Sequence, residues 1–389
     1  MDVAVTSTNG TTGRVPVVAF VTHSAKMSGG EIFLLRVTSA MQRVRPLVVL
    51  GEHGPLEQAL ADLGVDCVVV PLAAAVQQHT ATTGAGRAAL GKVASVVAVA
   101  RRLARLFSDR GVDVVETHSA KAHVYGALAG RLARLPVSAH LHGVIGTADV
   151  RRGNALFLRA VVRLLPHRVI ANSRATADSV GGRRGRDAIV IGCPVTLPET
   201  VLPAPSCPAF TVVGRLSAFK GQDVAVRAFA RAQQRGLDPN ARLRLVGGAL
   251  FDRDVAFAAS LRELVDALGL GAAVVFVGHV DDAAAEFDRC TVAVHASVLP
   301  EGFGQVVIEA MAAGRPVIAS DAGGPAEIIE HGVDGLLVPA GDVDAMATEM
   351  LRLAADPVER SRMAIAARRT AARYDLGRIV ADVETALVG

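Results

Sequence analysis

Pro300-Glu-Gly-Phe-Gly-Gln-Val-Val-Ile-Glu309, continued by Ala310-Met-Ala-Ala-Gly-Arg-Pro-Val-Ile-Ala-Ser320, reads as loop, helix, turn and strand. Gly302 and Gly304 let the backbone at the start of that helix come close to a ligand, and the unpaired N–H groups there suit a diphosphate. Glu301 precedes the helix and Glu309 lies inside it. The neighbours of Glu309 are Val306, Val307, Ile308, Ala310 and Met311, so its carboxylate has hardly any polar face to occupy and needs partners. A helix beginning near Phe303 puts Glu309 roughly 9 Å along its axis. At that spacing one carboxylate can hold a sugar and the other a ribose on either side of the diphosphate.

Short Val/Ile-rich runs lie on both sides of this unit with helical stretches between them. They are Val17 to Thr22, Pro46 to Leu50, Cys67 to Val70, Asp113 to Thr117, Val137 to Leu141 and Arg168 to Ala171, then Ala209 to Val213, Arg242 to Val246, Ala273 to Val277, Thr291 to His295, Pro316 to Ala319 and Gly335 to Val338. Uninterrupted apolar runs of this length are parallel strands covered on both faces. The fold class is α/β, with two Rossmann-like doubly wound domains facing across an interdomain cleft. Pro194, Pro198, Pro203, Pro205 and Pro208 mark the join. The expected boundaries are 1–196 for the first domain, 197–208 for the linker and 209–372 for the second. The last helix, 373–389, is expected to return to the first domain.

In such sheets ligands bind beyond the carboxyl ends of the strands. The first domain offers Gly29, Gly30 and Glu31 there, with His118, and with His142 followed by Gly143. The second offers Val213-Gly-Arg-Leu-Ser-Ala-Phe-Lys-Gly221, Gly278-His279 and the stretch from Pro300 to Gln305. A diphosphate leaving group gains negative charge as its bond to the sugar breaks, so Arg215 and Lys220 on one loop are cations suited to stabilise it. His142 has a satisfied structural histidine as its bland alternative, and for His118 that alternative is the preferred one. Asp252-Arg-Asp254 has the form of a metal-binding Asp-x-Asp, but is read as the cap of the helix that follows. Gly84-Ala-Gly86-Arg-Ala-Ala89 lacks the preceding strand that a dinucleotide loop needs.

Composition narrows the function classes. The first part of the chain, to residue 196, holds 23 Lys/Arg against 12 Asp/Glu, and the remainder 18 against 25. A basic half with only 4% aromatic residues argues against nucleic acid and leaves an anionic surface or acceptor. Arg152, Arg159 and Arg163 fall near one another on an apolar helical segment. That segment reads either as a core-packed helix with a solvated basic stripe or as a peripheral contact with an anionic membrane. Cys67, Cys193, Cys207 and Cys290 have neither disulfide-framework nor zinc spacing, which fits a reducing cytoplasm. The opening residues show no apolar signal core, and no stretch is apolar for long enough to span a bilayer. Four lysines against 37 arginines suggest a GC-rich bacterial genome.

Taken in order, these segments resemble the GT-B glycosyltransferases of family 4, the glycogen synthase-like group. The carriers are Gly29-Gly30-Glu31, His142-Gly143, the loop from Gly214-Arg215 to Lys220-Gly221, the Glu301 and Glu309 pair, Gly323-Gly324-Pro325-Ala-Glu327 and Gly332-Val-Asp-Gly335. The resemblance covers most of the chain and implies a retaining hexosyltransferase that needs no metal and no cofactor, the nucleotide sugar being a co-substrate. It implies that Gly29 and Gly30 contact the donor phosphate, His142 the donor sugar, Arg215 and Lys220 the diphosphate, Glu301 the sugar hydroxyls and Glu309 the ribose. The base is read near His279, and Gly302, Phe303, Gly304 and Gln305 form the helix start. A UDP donor is favoured over GDP by this analogy, and the acceptor is left open among small molecules, glycolipids and glycans. The expected location is the cytoplasm, with the inner face of the cell membrane as an option. A nucleotide-sugar epimerase or hydrolase of the same fold and a non-catalytic nucleotide-sugar-binding module are the alternatives.

Overall fold

The computed structural model describes residues 14–72, 87–146, 152–250, 252–280 and 283–389. The polar opening residues 1–13 and the glycines at 84 and 86 lie outside them. The first half runs β1 (Val17–Thr22), α1 (Gly29–Ala40), β2 (Arg45–Leu50), α2 (Pro55–Asp62), β3 (Asp66–Val69), α3 (Arg87–Asp109), β4 (Val114–Thr117), α4 (Ala120–Leu132), β5 (Val137–Leu141), α5 (Arg152–Leu164), β6 (Arg168–Ala171), α6 (Arg174–Val180), α7 (Gly182–Arg186) and β7 (Ile189–Val190). The second runs β8 (Ala209–Val213), α8 (Gln222–Gln234), β9 (Arg242–Val246), α9 (Asp252–Ala267), β10 (Val274–Gly278), α10 (Ala284–Asp288), β11 (Val292–His295), α11 (Gln305–Ala312), β12 (Val317–Ser320), α12 (Gly324–Ile328), β13 (Leu336–Val338), α13 (Val343–Ala355), α14 (Pro357–Ala371) and α15 (Leu376–Val388).

Two parallel sheets result, ordered β3-β2-β1-β4-β5-β6-β7 and β10-β9-β8-β11-β12-β13. The strand order reverses beside β1 in the first and beside β8 in the second, which places a ligand crevice at the carboxyl end of each. All six residues of β1 are buried, as expected for a central strand with helices on both faces. The two doubly wound units read from the apolar runs are therefore present.

The carboxyl-terminal helix is fastened to the first sheet's layer. Glu384, 2% exposed, accepts the backbone N–H groups of Gln42 at 2.8 Å and Arg43 at 2.6 Å, just beyond the end of α1. Hydrogen bonds to a charged acceptor contribute about 1.5–3 kcal/mol each. Ile379, Val383 and Leu387 of α15 join Val37 and Val44 in one apolar cluster. Val195 also bridges Asp375, so the chain's two crossings between the sheets run side by side.

One local expectation needs correction. Helix α11 begins at Gln305 rather than Phe303, because Gly304 takes a left-handed φ of 83° as its cap. Glu309 therefore lies about 6 Å along the helix, not 9 Å. Asp252 and Asp254 fall in the first turn of α9, and Asp254, 3% exposed, also pairs with Arg215. All four cysteines are free thiols. Among the described residues no helix is long and apolar enough to cross a membrane.

Candidate active site

The carboxyl ends of the two sheets meet. Helix α1 starts at Gly29 and α11 at Gln305, and a methyl group placed on Gly29 would lie 3.9 Å from Gln305 Oε1. Two helix N-termini, each with unpaired N–H groups and the positive end of its dipole, thus point at one interdomain space. Gly30 lies against the His142 ring, 3.6 Å from where its Cβ would stand. Gly302 is packed tighter still: a Cβ there would meet the His142 carbonyl oxygen at 2.4 Å, Gly143 Cα at 2.8 Å and Asn172 Nδ2 at 3.0 Å. Only glycine permits that approach between the two rims.

Lys220 and Glu301 form the charged centre on the second domain's side. Lys220 ends a short 3-10 turn after β8, and its Nζ lies 2.6 Å from Glu301 Oε1. Ser297 Oγ donates to the same oxygen, and His295 Nε2 stands 3.0 Å from it. Burial works to raise the Glu301 pKa, but the charges of Lys220 and His295 outweigh it and hold the carboxyl well below the usual range. The loop is braced from below by Gln222, which is buried and donates through Nε2 to the Arg215 carbonyl at 2.8 Å. Gly221 turns the loop into α8 with a left-handed φ of 63°, and a Cβ there would stand 2.0 Å from the Ala296 carbonyl oxygen.

Arg215 Nε lies 3.4 Å from Asp254 Oδ2, with its side chain 24% exposed. That carboxylate helps to position the guanidinium. Glu309 finds the partner that its apolar surroundings demand on the other domain: Arg36 Nη1 of α1 lies 2.9 Å from its Oε1, and Gln305 Nε2 donates to it at 3.3 Å. Phe303 does not present its ring to the cleft. It is 5% exposed and packs edge-on against Tyr374, with centroids 5.2 Å apart. His279, directly after β10, is exposed at the rim of the second sheet.

On the first domain's side the cleft floor is a buried histidine column. His118 Nδ1 is 2.9 Å from His142 Nε2, His140 Nδ1 is 2.9 Å from Glu116 Oε1, and His118 Nε2 is 3.4 Å from Glu116 Oε2. Burial would raise the Glu116 pKa, but the neighbouring imidazoles of His118 and His140 bring it down to about 2. Burial lowers the pKa of His140, and that of His142 further, which keeps both imidazoles neutral. His142 is thus no isolated rim residue but the outer member of a connected set.

The comparisons with known proteins fall one on each sheet. Residues 203–370 match the family model described as glycosyl transferases group 1, and residues 55–197 match glycosyltransferase family 4. The chain belongs to the GT-B glycosyltransferases of the family 4 type. The structure of Anabaena HepE in complex with UDP and glucose resembles this family 4 chain with a TM-score of 0.80, at 26% identity over 95% of this chain and 98% of that one. The phosphatidyl-myo-inositol mannosyltransferase of Mycobacterium leprae is 28% identical over 74% of this chain and 76% of its own length. An exopolysaccharide phosphotransferase of Streptomyces coelicolor is 39% identical, but over 46% of this chain and 18% of its own length. The chain thus spans well under half of that relative.

Within this GT-B frame the structure brings Gly29, Gly30, His142, Gly302 and Gln305 together across the cleft and pairs Lys220 with Glu301. It also adds residues that the motifs did not reveal. Arg36, His295, Ser297 and His140 each touch a motif residue, and Glu116 lies behind them against His118 and His140. Glu327 bridges the domains by accepting the backbone N–H groups of Arg174 at 2.7 Å and Ala175 at 2.6 Å. A cavity of about 220 Å³ beside it is lined from both domains by Asn172, Ser173, Phe303 and Tyr374.

Proposed function

We propose that this chain moves a hexose from a nucleoside-diphosphate sugar to an acceptor bound against the basic first domain, with retention of configuration and without a metal. One observation carries the reading: two helix N-termini, one from each domain, converge on a space flanked by Lys220, Arg215 and His142. A diphosphate fits that space because the N–H groups and the two cations are already oriented, so little reorganisation is needed as leaving-group charge grows. Gly29, Gly30, Gly302, Gly304 and Gln305 are assigned to the diphosphate, Glu301 and His142 to the sugar, and Glu309 to the ribose. The base is assigned to the backbone near His279. UDP is favoured because the HepE structure, similar over almost the whole chain, is a complex with UDP and glucose.

The test is turnover of UDP- and GDP-hexoses in saturating EDTA, with and without glycan and glycolipid acceptors. Release of nucleoside diphosphate that depends on an acceptor and survives EDTA is expected. Consumption of the donor without any acceptor would point to an epimerase or hydrolase. Activity lost in EDTA and restored by Mg²⁺ or Mn²⁺ would overturn the metal-free mechanism.

Glu309→Ala should raise the Kd for the nucleoside diphosphate by about 10- to 100-fold, the loss of a charge-assisted hydrogen bond. Because Arg36 shares that carboxylate, Arg36→Ala should raise it less. Calorimetry in which both variants lose affinity equally would reduce Glu309 to a bridge between domains.

The membrane option rests on α5, where Leu156, Phe157 and Leu164 share one side of the helix and are 64%, 58% and 72% exposed. The basic stripe is not available as first read. Arg159 donates to the carbonyls of Ser179 and Ile145, and Arg163 to that of Val180. Changing Leu156, Phe157 and Leu164 together to Ser should therefore abolish co-sedimentation with anionic phosphatidylglycerol vesicles, and salt should weaken the wild-type binding. Equal binding to neutral vesicles, or none to either kind, sinks this part.

A further inference from the structure

Four ionisable side chains sit beneath the sugar side of the cleft, on β4 and β5 and just past their ends. Glu116 and His140 are fully buried, and His118 is 6% exposed. An ionised carboxylate only accepts hydrogen bonds. Glu116 Oε1 is therefore matched by an N–H on His140 Nδ1 at 2.9 Å, while Oε2 faces His118 Nε2 at 3.4 Å, a charge contact without hydrogen-bond geometry that still favours a proton on that nitrogen. A neutral His118 with its proton on Nε2 has a bare Nδ1. That nitrogen faces His142 Nε2 at 2.9 Å, with the ring planes only 20° apart and the centroids 5.2 Å apart, the arrangement of two rings bonded edge to edge. The hydrogen in this contact then belongs to His142 Nε2, and His142 Nδ1 is the acceptor nitrogen. It is buried and has no partner within the protein.

The same three histidines each place a nitrogen within 4.8 Å of the others, which is a spacing a metal ion could use. The ring geometry does not suit one. His118 and His142 already face each other at hydrogen-bond distance, and His140 stacks on His142 at 11°, so the lone pairs are not aimed at a common centre. The other titratable groups facing the column are His123 of α4, bonded to Thr117 Oγ1 at 2.8 Å, and Glu31 of α1, which lies 3.4 Å from Thr22 Oγ1. Burial pushes His123 down to about 3 and pushes the Glu31 carboxyl upward, so neither supplies a competing charge as strong as that of Glu116.

We propose that Glu116 and His118 are positioning residues that fix the tautomer of His142, holding its proton on Nε2 and leaving Nδ1 to accept a hydrogen bond from a hydroxyl of the transferred sugar. This rests on the reading of the cleft as a sugar-donor site. The carboxylate reaches His142 through the intervening His118 ring, and fixes a tautomer as the buried acid of a catalytic triad does by bonding its histidine directly.

Two measurements on the full-length chain test it. In ¹⁵N-histidine-labelled wild-type protein, long-range ¹H–¹⁵N correlation should show His142 protonated at Nε2, the signal being assigned with His142→Gln. Glu116→Gln keeps the shape but lets the amide donate to His118 Nε2, which should shift the His142 proton to Nδ1. That variant should lose about 10- to 100-fold in kcat with a smaller change in donor KM. A wild-type His142 carrying its proton on Nδ1, a Glu116→Gln protein whose His142 keeps its proton on Nε2, or a stoichiometric divalent metal on these nitrogens would each overturn the assignment. If Glu116→Gln does not fold, the wild-type spectrum still decides. That spectrum does not depend on turnover, so a chain with this tautomer but no sugar transfer would fail the functional reading alone.

Discussion

Lys220→Ala is expected to lower kcat about 10²- to 10³-fold, the cost of removing one preorganised charge-stabilising donor, with a smaller change in donor KM. The ammonium faces a diphosphate whose charge grows between ground state and transition state, so the lost interaction is stronger in the latter. The structure adds a complication, because Lys220 also neutralises Glu301 at 2.6 Å. Without it the buried carboxylate keeps only Ser297 and His295 beside its Oε1, and part of the loss could come from Glu301 alone. A double-mutant cycle separates the two. In a Glu301→Gln background Lys220→Ala should still reduce kcat substantially, whereas a lysine that only holds Glu301 would add nothing there. Lys220→Arg should rescue partly, since a planar fork cannot take the place of a point charge without moving the loop. Normal kcat with a raised KM would pass the leaving-group role to Arg215.

Gly302→Ala is the second large effect. The added methyl would meet backbone on the opposite domain, 2.4 Å from the His142 carbonyl oxygen and 2.8 Å from Gly143 Cα, and neither can swing aside as a flexible side-chain end can. The domains must then stand further apart, with the second helix N-terminus displaced from the first. A misplacement of about 1 Å can cost about 10²-fold in rate, and a loss of that order in kcat/KM is expected. The melting temperature should hardly change, because neither sheet is touched. Small-angle scattering should show a more open particle. A variant with wild-type turnover would show that this approach of the rims is not part of the reaction cycle.

Much of this could be read from residue patterns because parallel strands buried on both faces leave unbroken apolar runs, and because glycines at helix starts stand out beside them. The Glu301 and Glu309 pair was visible for the same reason: a carboxylate in an apolar segment must have a partner. That logic applied equally to Glu116 in Val114-Val-Glu-Thr117 and to His140 in Val137-Ser-Ala-His-Leu141, where it would have marked the buried column. What stayed hidden was pairing across the chain. Nothing local says that Arg36 of α1 meets Glu309 of α11, or that Asp254 in the first turn of α9 meets Arg215. Phe303 stands between two functional glycines yet serves the core, since an aromatic ring beside a helix start fills whichever side offers apolar contact.

Hydrogen–deuterium exchange on adding UDP bears most directly on the claim that one nucleotide sugar is held by both domains. Binding in the cleft should protect the start of α1 around residues 28–34, the loop 214–222 and the start of α11 around 300–310 together, since their backbone N–H groups would share the diphosphate. Protection confined to one domain, or none at saturating UDP and GDP, would contradict it.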